Sequence, residues 1–395
     1  MTHRRTALSW SLGILCAASL AVAQNGDPGH VNFLEYTGSN FNAFTNSPAT
    51  SIQQFLQSHL AGLVTYSPYF DSQTSWFPNA YFYQDLYSIP VGSAIQYSHP
   101  EWILRGPSGN WLYIPYACGG GACSQWAGDI ANPAFRAWWI SQAASHLAAG
   151  HYAGIFIDDV NMEFRVSDGA GNQEAPVDSN TGQVMSYDAW RSYIAGFTEQ
   201  IRAAFPSAKL IENAIWFADS GAGTADPSIR SQIATANVIN LERGVASDGG
   251  LTGGTGQWSV YALLNYVDQV HADGAAVNFL EGALSTAGQQ YGLAAYLLTS
   301  SGYDSLGDAT STPYNWWSGY NVDLGGAYGP RTYHNGVFQR NFQNGVVLLG
   351  EPGLAARTIN LNGWYTTIDG TWVNSVTISG SQGIVLIGNP GGPAL

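Results

Sequence analysis

Gly154-Ile155-Phe156-Ile157-Asp158-Asp159-Val160 is a short apolar run that breaks onto two acids. An apolar run of this length, free of polar alternation, is the signature of a strand buried on both faces of a parallel sheet. Acids at its C-terminal end fall where such strands open into their loops. Outward from it, further short apolar, β-branched or aromatic runs recur at Val31–Tyr36, Leu63–Ser67, Ala80–Leu86, Lys209–Ile215, Val238–Glu242, Ala276–Glu281 and Leu293–Thr299. Helical stretches at 51–60, 133–149 (after Asn132), 186–204 and 259–272 separate several of them. Eight strands in this alternation predict an α/β fold of the (β/α)8 (TIM) barrel type rather than an open doubly wound sheet. An open sheet would advertise a nucleotide loop. The glycine-rich stretch Gly249–Gly256 follows the sixth strand and lacks the Gly-Lys-Ser/Thr ending.

The segment between strands three and four, Ser88–Gln125, is long, and Trp102–Trp111 within it reads as two apolar runs around a turn, a hairpin. Past Arg331 the helices cease. Short strands at Gly345–Leu349, Arg357–Leu361, Trp364–Ile368, Val376–Ser379 and Gly383–Ile387 predict a small C-terminal antiparallel β domain, sandwich-like and structural, with the boundary between Tyr328 and Asn335. At the other end, Arg4 and Arg5 precede an apolar run from Leu8 to Leu20 and the small residues Ala21-Val22-Ala23. This is the pattern of an export signal over 1–23, followed by a barrel over 24–332 and the β domain over 333–395. The expected destination is secreted or periplasmic, with no membrane span after cleavage. There Cys118 and Cys123, six residues from end to end of their loop, are expected to form a local disulfide; a zinc site is disfavoured because no matching histidines accompany them.

Composition narrows the chemistry. Charged residues make up 10% of the chain, aromatics 13%, and the formal net charge is −14. A balance this acidic repels phosphate backbones, so nucleic acid is not an expected partner. Fourteen tryptophans supply flat apolar faces with a polar edge, suited to stacking on sugar rings as well as to filling a core. Tyr69, Phe70, Trp76 and Trp102, in the segments after strands two and three, point to a cleft for several sugar units.

Barrel enzymes place reactive groups where strands end. Here those ends carry Asp85, Asp158, Asp159, Asn213, Trp216, Glu242 and Glu281, a concentration of acids that a sparsely charged chain does not produce by solvated surface alone. Cleavage of a glycosidic bond needs one carboxyl to protonate the leaving oxygen and a second to attack carbon or activate water. Asp158 and Glu242, two strands apart on the rim, are the preferred pair. Asp85, Asp159, Asn213, Trp216 and Glu281 are the expected substrate contacts. Each acid also has a purely structural alternative: Asp158 or Asp159 as a loop cap, Glu242 in an ion pair with Arg243, Glu281 as a plain rim acid. Successive residues of a strand point to opposite sides, so Asp158 and Asp159 share the lumen only if the chain has already turned. Periodicity does not choose between them.

At these residues the chain resembles the bacterial hypothetical glycosyl hydrolase family 15. The likeness is carried by Gly154–Met162, by Ile239-Asn240-Leu241-Glu242-Arg243-Gly244-Val245, by Tyr113-Ile114-Pro115 with its cysteine loop, and by Asp129–Trp139, in that family's order and over nearly all of the mature chain. More distantly it is similar to the endo-alpha-1,4-polygalactosaminidase barrels. That resemblance implies Asp158 as nucleophile and Glu242 as general acid/base, with Asp159 a neighbour. The expectation is a glycoside hydrolase with a carbohydrate substrate, no cofactor and no metal, retaining if the carboxyls stand about 5 to 5.5 Å apart and inverting if roughly 6.5 to 9.5 Å. The competing reading is a non-catalytic carbohydrate-binding protein on the same barrel. A metal-dependent esterase lacks its histidine pair, since His146 and His151 lie at i, i+5 across Gly150; a serine hydrolase lacks its Gly-x-Ser-x-Gly elbow.

Overall fold

The computed structural model describes residues 26–38, 41–119, 122–214, 225–282 and 284–388. Eight parallel strands close a barrel: β1 (Phe33–Tyr36), β2 (Leu60–Thr65), β3 (Ala80–Asp85), β4 (Gly154–Asp158), β5 (Lys209–Asn213), β6 (Val238–Glu242), β7 (Ala276–Glu281) and β8 (Ser305–Asp308). Each strand pairs with its neighbour in sequence, and β8 returns to β1. The helices α1 (Thr50–His59), α2 (Pro133–Gly150), α3 (Tyr187–Ala204), α4 (Pro227–Thr235), α5 (Val260–Ala272) and α6 (Thr286–Thr299) lie in the connections. Their starts are written locally. Asn132 accepts from the N–H groups of Ala134 (2.9 Å) and Phe135 (3.3 Å) with Pro133 at the first helical position, and Ser186, Ser259 and Ser285 cap α3, α5 and α6 in the same way.

The eighth strand is not where the sequence reading places it. Leu293–Thr299 is the second half of α6, and the strand is Ser305-Leu306-Gly307-Asp308. Every residue from Tyr291 to Thr299 is buried, so the segment shows no polar face and its periodicity is mute. Its leucines and alanines are helix formers rather than β-branched residues, and the Ser285 cap commits the whole run to one helix. The true strand is four residues long with one large apolar side chain.

Period-two alternation sorts each strand's side chains between two cores. Leu34, Val64, Tyr81, Phe156, Ile211 and Val238 fill the barrel lumen, with Tyr36 and Tyr83 packed above them. The opposite parity, including Phe33, Leu63, Phe82, Ile155, Ile157, Leu210, Ile239, Val277 and Phe279, meets the helices. The lumen is plugged, and only its upper layer is open to function. The hairpin expected in the long insertion is present: Arg105 bridges Trp111 around a turn at Pro107–Gly109. Cys118 and Cys123 are disulfide-bonded.

C-terminal to the barrel is a separate antiparallel sheet: β9 (Thr332–His334), β10 (Val337–Phe342), β11 (Gly345–Gly350), β12 (Arg357–Thr367), β13 (Trp372–Ile378) and β14 (Gln382–Ile387), in the order β9-β10-β11-β14-β12-β13. Two expected strands, Arg357–Leu361 and Trp364–Ile368, are one, and its pairing with β13 slips between Asn360 and Tyr365 instead of turning at Asn362-Gly363. On one face Val347, Leu349 and Val385 join the main core against α6; on the other Val337, Val346, Leu348 and Leu386 meet Ile359, Leu361, Tyr365 and Ile378 in a second small core. Arg340 of β10 fastens the sheet to the barrel, donating to the carbonyls of Leu297 (3.0 Å) and Ser300 (2.8 Å) at the C-terminal end of α6.

Candidate active site

Asp158 is the last residue of β4 and shares its lumen-facing parity with Phe156. Three donors converge on its carboxylate: the Asn213 amide (2.7 Å) and the Asp159 backbone N–H (2.9 Å) on Oδ1, and the Tyr83 hydroxyl on Oδ2. Burial, and then the Asp158 charge, push the Tyr83 phenol up, so it stays a donor. The same Asn213 Nδ2 also donates to Glu242 Oε2 at 3.3 Å. One amide nitrogen thus touches both carboxylates, and their facing oxygens are at most 2.7 plus 3.3 Å apart, about 6 Å.

What aims that amide is a relay across the lumen. Asn213 Oδ1 accepts from Asn240 Nδ2 (2.7 Å), Asn240 Oδ1 from Asn278 Nδ2 (2.6 Å), and Asn278 Oδ1 from the Ser305 hydroxyl (2.7 Å). These side chains come from β5, β6, β7 and β8, and Asn240 and Asn278 are fully buried. A buried amide must satisfy both ends, so each oxygen accepting from one neighbour turns the nitrogen to the next. The chain ends with N–H pointing at two carboxylates.

Asp159 follows with φ +56°, a left-handed turn that Asp tolerates. The chain has therefore turned, and both Asp158 and Asp159 line the cleft. Asp159 bonds to Asp85 and accepts from Asn161 Nδ2 at 2.9 Å. Burial, reinforced by the Asp158 charge, raises its pKa to about 6. Asp85, which also accepts from the N–H groups of Tyr87 (2.9 Å) and Ser88 (2.8 Å), is pushed well above the ordinary carboxyl range by burial and by its two acidic neighbours. The two form a carboxyl pair sharing a proton beside the Asp158 carboxylate.

Glu242 ends β6 and is exposed; no ion pair joins it to Arg243 among the described residues. Arg243 (φ +74°) and Gly244 (φ +51°) reverse the chain, and a Cβ on Gly244 would collide with the Glu281 carboxyl. Glu281, expected among the substrate contacts, is 1% exposed, and its two oxygens take the N–H groups of Val245 (2.9 Å), Ala246 (3.0 Å) and Ser247 (2.9 Å) and the Ser247 hydroxyl (2.7 Å). Its carboxylate anchors the loop that follows Glu242.

Two cavities flank Glu242. One of about 700 Å³ holds Asp85, Asp158, Asp159, Asn213 and Glu242, roofed by Tyr116, Arg165 and Trp258. The other, about 430 Å³, runs past Tyr36, Tyr66 and Gly282. Tyr69, Phe70, Trp76 and Trp102 line neither; Phe70 and Trp102 are core. The aromatic walls are Tyr83, Tyr116, Trp258 and Tyr66, which nothing in their local sequence singles out. Trp216 lies outside the described residues, as does the segment 1–23. Among the described residues no group of three or more His, Cys, Asp or Glu side chains is arranged to hold a metal ion, and no helix is long and apolar enough to cross a membrane.

Residues 68–246 match the family model described as hypothetical glycosyl hydrolase family 15, a narrower span than the nearly full-length likeness read from the motifs. It contains Asp85, Asp158, Asp159, Asn213 and Glu242. No curated protein matches. Among solved structures the chain is similar to the glycoside hydrolase domain of PelA from Pseudomonas aeruginosa, at 16% identity and a TM-score of 0.41 over 70% of this chain and 94% of that one. It is similar also to the GH36 alpha-galactosidase AgaA from Geobacillus stearothermophilus, at 10% identity and a TM-score of 0.49 over 91% of this chain and 56% of that one. The alpha-galactosidase from Lactobacillus brevis stands at 12% and 0.49 over 91% and 55%.

Proposed function

We propose that this protein is a glycoside hydrolase that cleaves a poly- or oligosaccharide with retention of configuration, Asp158 acting as nucleophile and Glu242 as general acid/base. The observation that carries the reading is the Asn213 amide shared between the two carboxylates. The bound of about 6 Å on their nearest oxygens brings the two carboxyls to opposite sides of one scissile bond, and the difference in how firmly each is held favours direct attack by Asp158. Asp158, clamped by three donors, is fixed in position as a nucleophile must be. Glu242, exposed and held by one long hydrogen bond, is free to follow the departing oxygen and then a water.

In the first step the Asp158 carboxylate forms a bond to the anomeric carbon while Glu242 gives its proton to the leaving oxygen. In the second, Glu242 takes a proton from water, whose oxygen displaces Asp158. Asp85 and Asp159 line the same cleft and, sharing a proton, offer both a donor and an acceptor to sugar hydroxyls. An exported protein is consistent with the sequence of 1–23 and with the Cys118–Cys123 disulfide beside the cleft. The test is release of reducing ends from a polysaccharide panel. Turnover is expected to fall by about 10⁴-fold in Asp158→Asn and Glu242→Gln; unchanged turnover in both would reject the pair and leave a carbohydrate-binding barrel.

A further inference from the structure

Among the described residues, the tryptophans more than a third exposed are Trp258, Trp364 and Trp372. Trp258 lines the catalytic cleft. The other two, 58% and 67% exposed, are neighbours on the C-terminal sheet, far along the chain from any residue given a role above.

Their placement follows from the register. Thr366 pairs with Trp372, and Tyr365 with Val373. Paired residues point the same way and alternate along the strand, so Trp372 shares a face with Thr366 and therefore with Trp364, two residues earlier. Tyr365, between them, is 1% exposed and belongs to the second core, which makes the Trp face the solvent face. Trp364 is the last residue of the slipped stretch and Trp372 sits opposite Thr366, so the two exposed rings stand at the same end of the β12–β13 pair. Asn360, Asn374, Ser375 and Thr377, amides and hydroxyls, lie further along β12 and β13, and the turn before Trp372 carries one acid, Asp369.

We infer that Trp364 and Trp372 form a second carbohydrate-binding surface, separate from the cleft, which takes an uncharged stretch of polysaccharide by stacking its sugar rings. Sugars present apolar C–H faces rimmed by hydroxyls, which is the complement of two exposed indoles with amides and hydroxyls further along the same strands. An anionic membrane would call for lysine or arginine beside the rings, and the chain's net charge of −14 opposes it. The choice of occupant rests on the proposed glycosidase reading, since a surface of this kind holds the enzyme on an insoluble form of the barrel's substrate.

The experiment is sedimentation of the full chain with insoluble cellulose, chitin and starch granules, in an Asp158→Asn background so that hydrolysis does not erase binding. Trp364→Ala/Trp372→Ala is compared with its parent, and with Trp258→Ala as the cleft control. The expected result is binding to at least one of the three, weakened about tenfold or more by the double substitution and little by Trp258→Ala. Binding that survives the double substitution, no binding to any of the three, or a parent dimer that becomes monomeric in the double variant would overturn the inference. The last result would mark a self-association face. Because the readout is binding, a wild-type chain that binds through these tryptophans yet releases no reducing ends from any polysaccharide of the panel would sink the hydrolase reading and leave this one standing.

Discussion

Asn213 is the residue on which the two carboxylates depend for their spacing. Its replacement by Ala removes the one donor common to both and is expected to lower kcat by about 10²-fold, with an unchanged melting temperature as the check on folding. Asn240→Leu keeps the volume but frees the Asn213 amide to rotate, and a fall of about tenfold in kcat with little change in KM is expected from steady-state kinetics. The carboxyl pair makes a second prediction. The folded-state pKa of Asp159 is raised to about 6 and that of buried Glu212 to about 7, in both cases chiefly by burial. A raised carboxyl pKa means that the folded state binds more protons than the unfolded one across this window. The stabilising contribution is therefore whole below about pH 4 and is lost as pH rises through 6 and 7. Thermal melts should show a lower midpoint at pH 8 than at pH 5.5, and Asp159→Asn with Glu212→Gln should flatten that difference. Alternation also separates Glu242 from Glu281. Asn240 and Glu242 share one parity on β6, and Asn278 pairs with Asn240, so Leu280 rather than Glu281 is the residue of β7 that faces the lumen at the level of Glu242. The buried asparagines in otherwise apolar strands were themselves a legible signal, since a strand core tolerates an amide only where a partner waits.

Among elements, seven barrel strands and four helices are legible in apolar runs, and a local cap alone does not add to them. Helix α1 is read without any side-chain cap, α4 is missed despite its Asp226 cap and Pro227, and α6 hides its character behind a Ser285 cap because its second half is buried all round. The β9–β10 hairpin was passed over although its signal is local. Asn335 (φ 48°) and Gly336 (φ 82°) make the Asn-Gly turn favoured by two-residue hairpins, at the end of the stretch 328–335 read as a domain boundary. The Cys118–Cys123 loop bears on function because Tyr116, Ala117 and Ser124 line the cleft. Replacing both cysteines by Ser relaxes that wall, and an increase in KM larger than the decrease in kcat is the expected kinetic outcome. Arg340 predicts a structural effect instead. Arg340→Met removes charged hydrogen bonds to two α6 carbonyls and is expected to cost about 2 kcal/mol in chemical denaturation, with catalysis on soluble substrate retained.

For the molecule as a whole, the barrel supplies a rigid frame in which a carboxylate from β4 and another from β6 meet at an amide from β5, each delivered by a strand end rather than by a mobile loop. The most direct test of that arrangement uses Glu242→Gln with the glycosyl fluoride of whichever sugar the polysaccharide panel reveals. Fluoride departs without a proton, so the nucleophile still attacks, while release of the sugar from the enzyme stalls for want of a base. Mass spectrometry of the digested protein is expected to find one sugar residue attached to Asp158. An adduct on Asp159 or Asp85, or no adduct while the fluoride is consumed, would contradict the assignment.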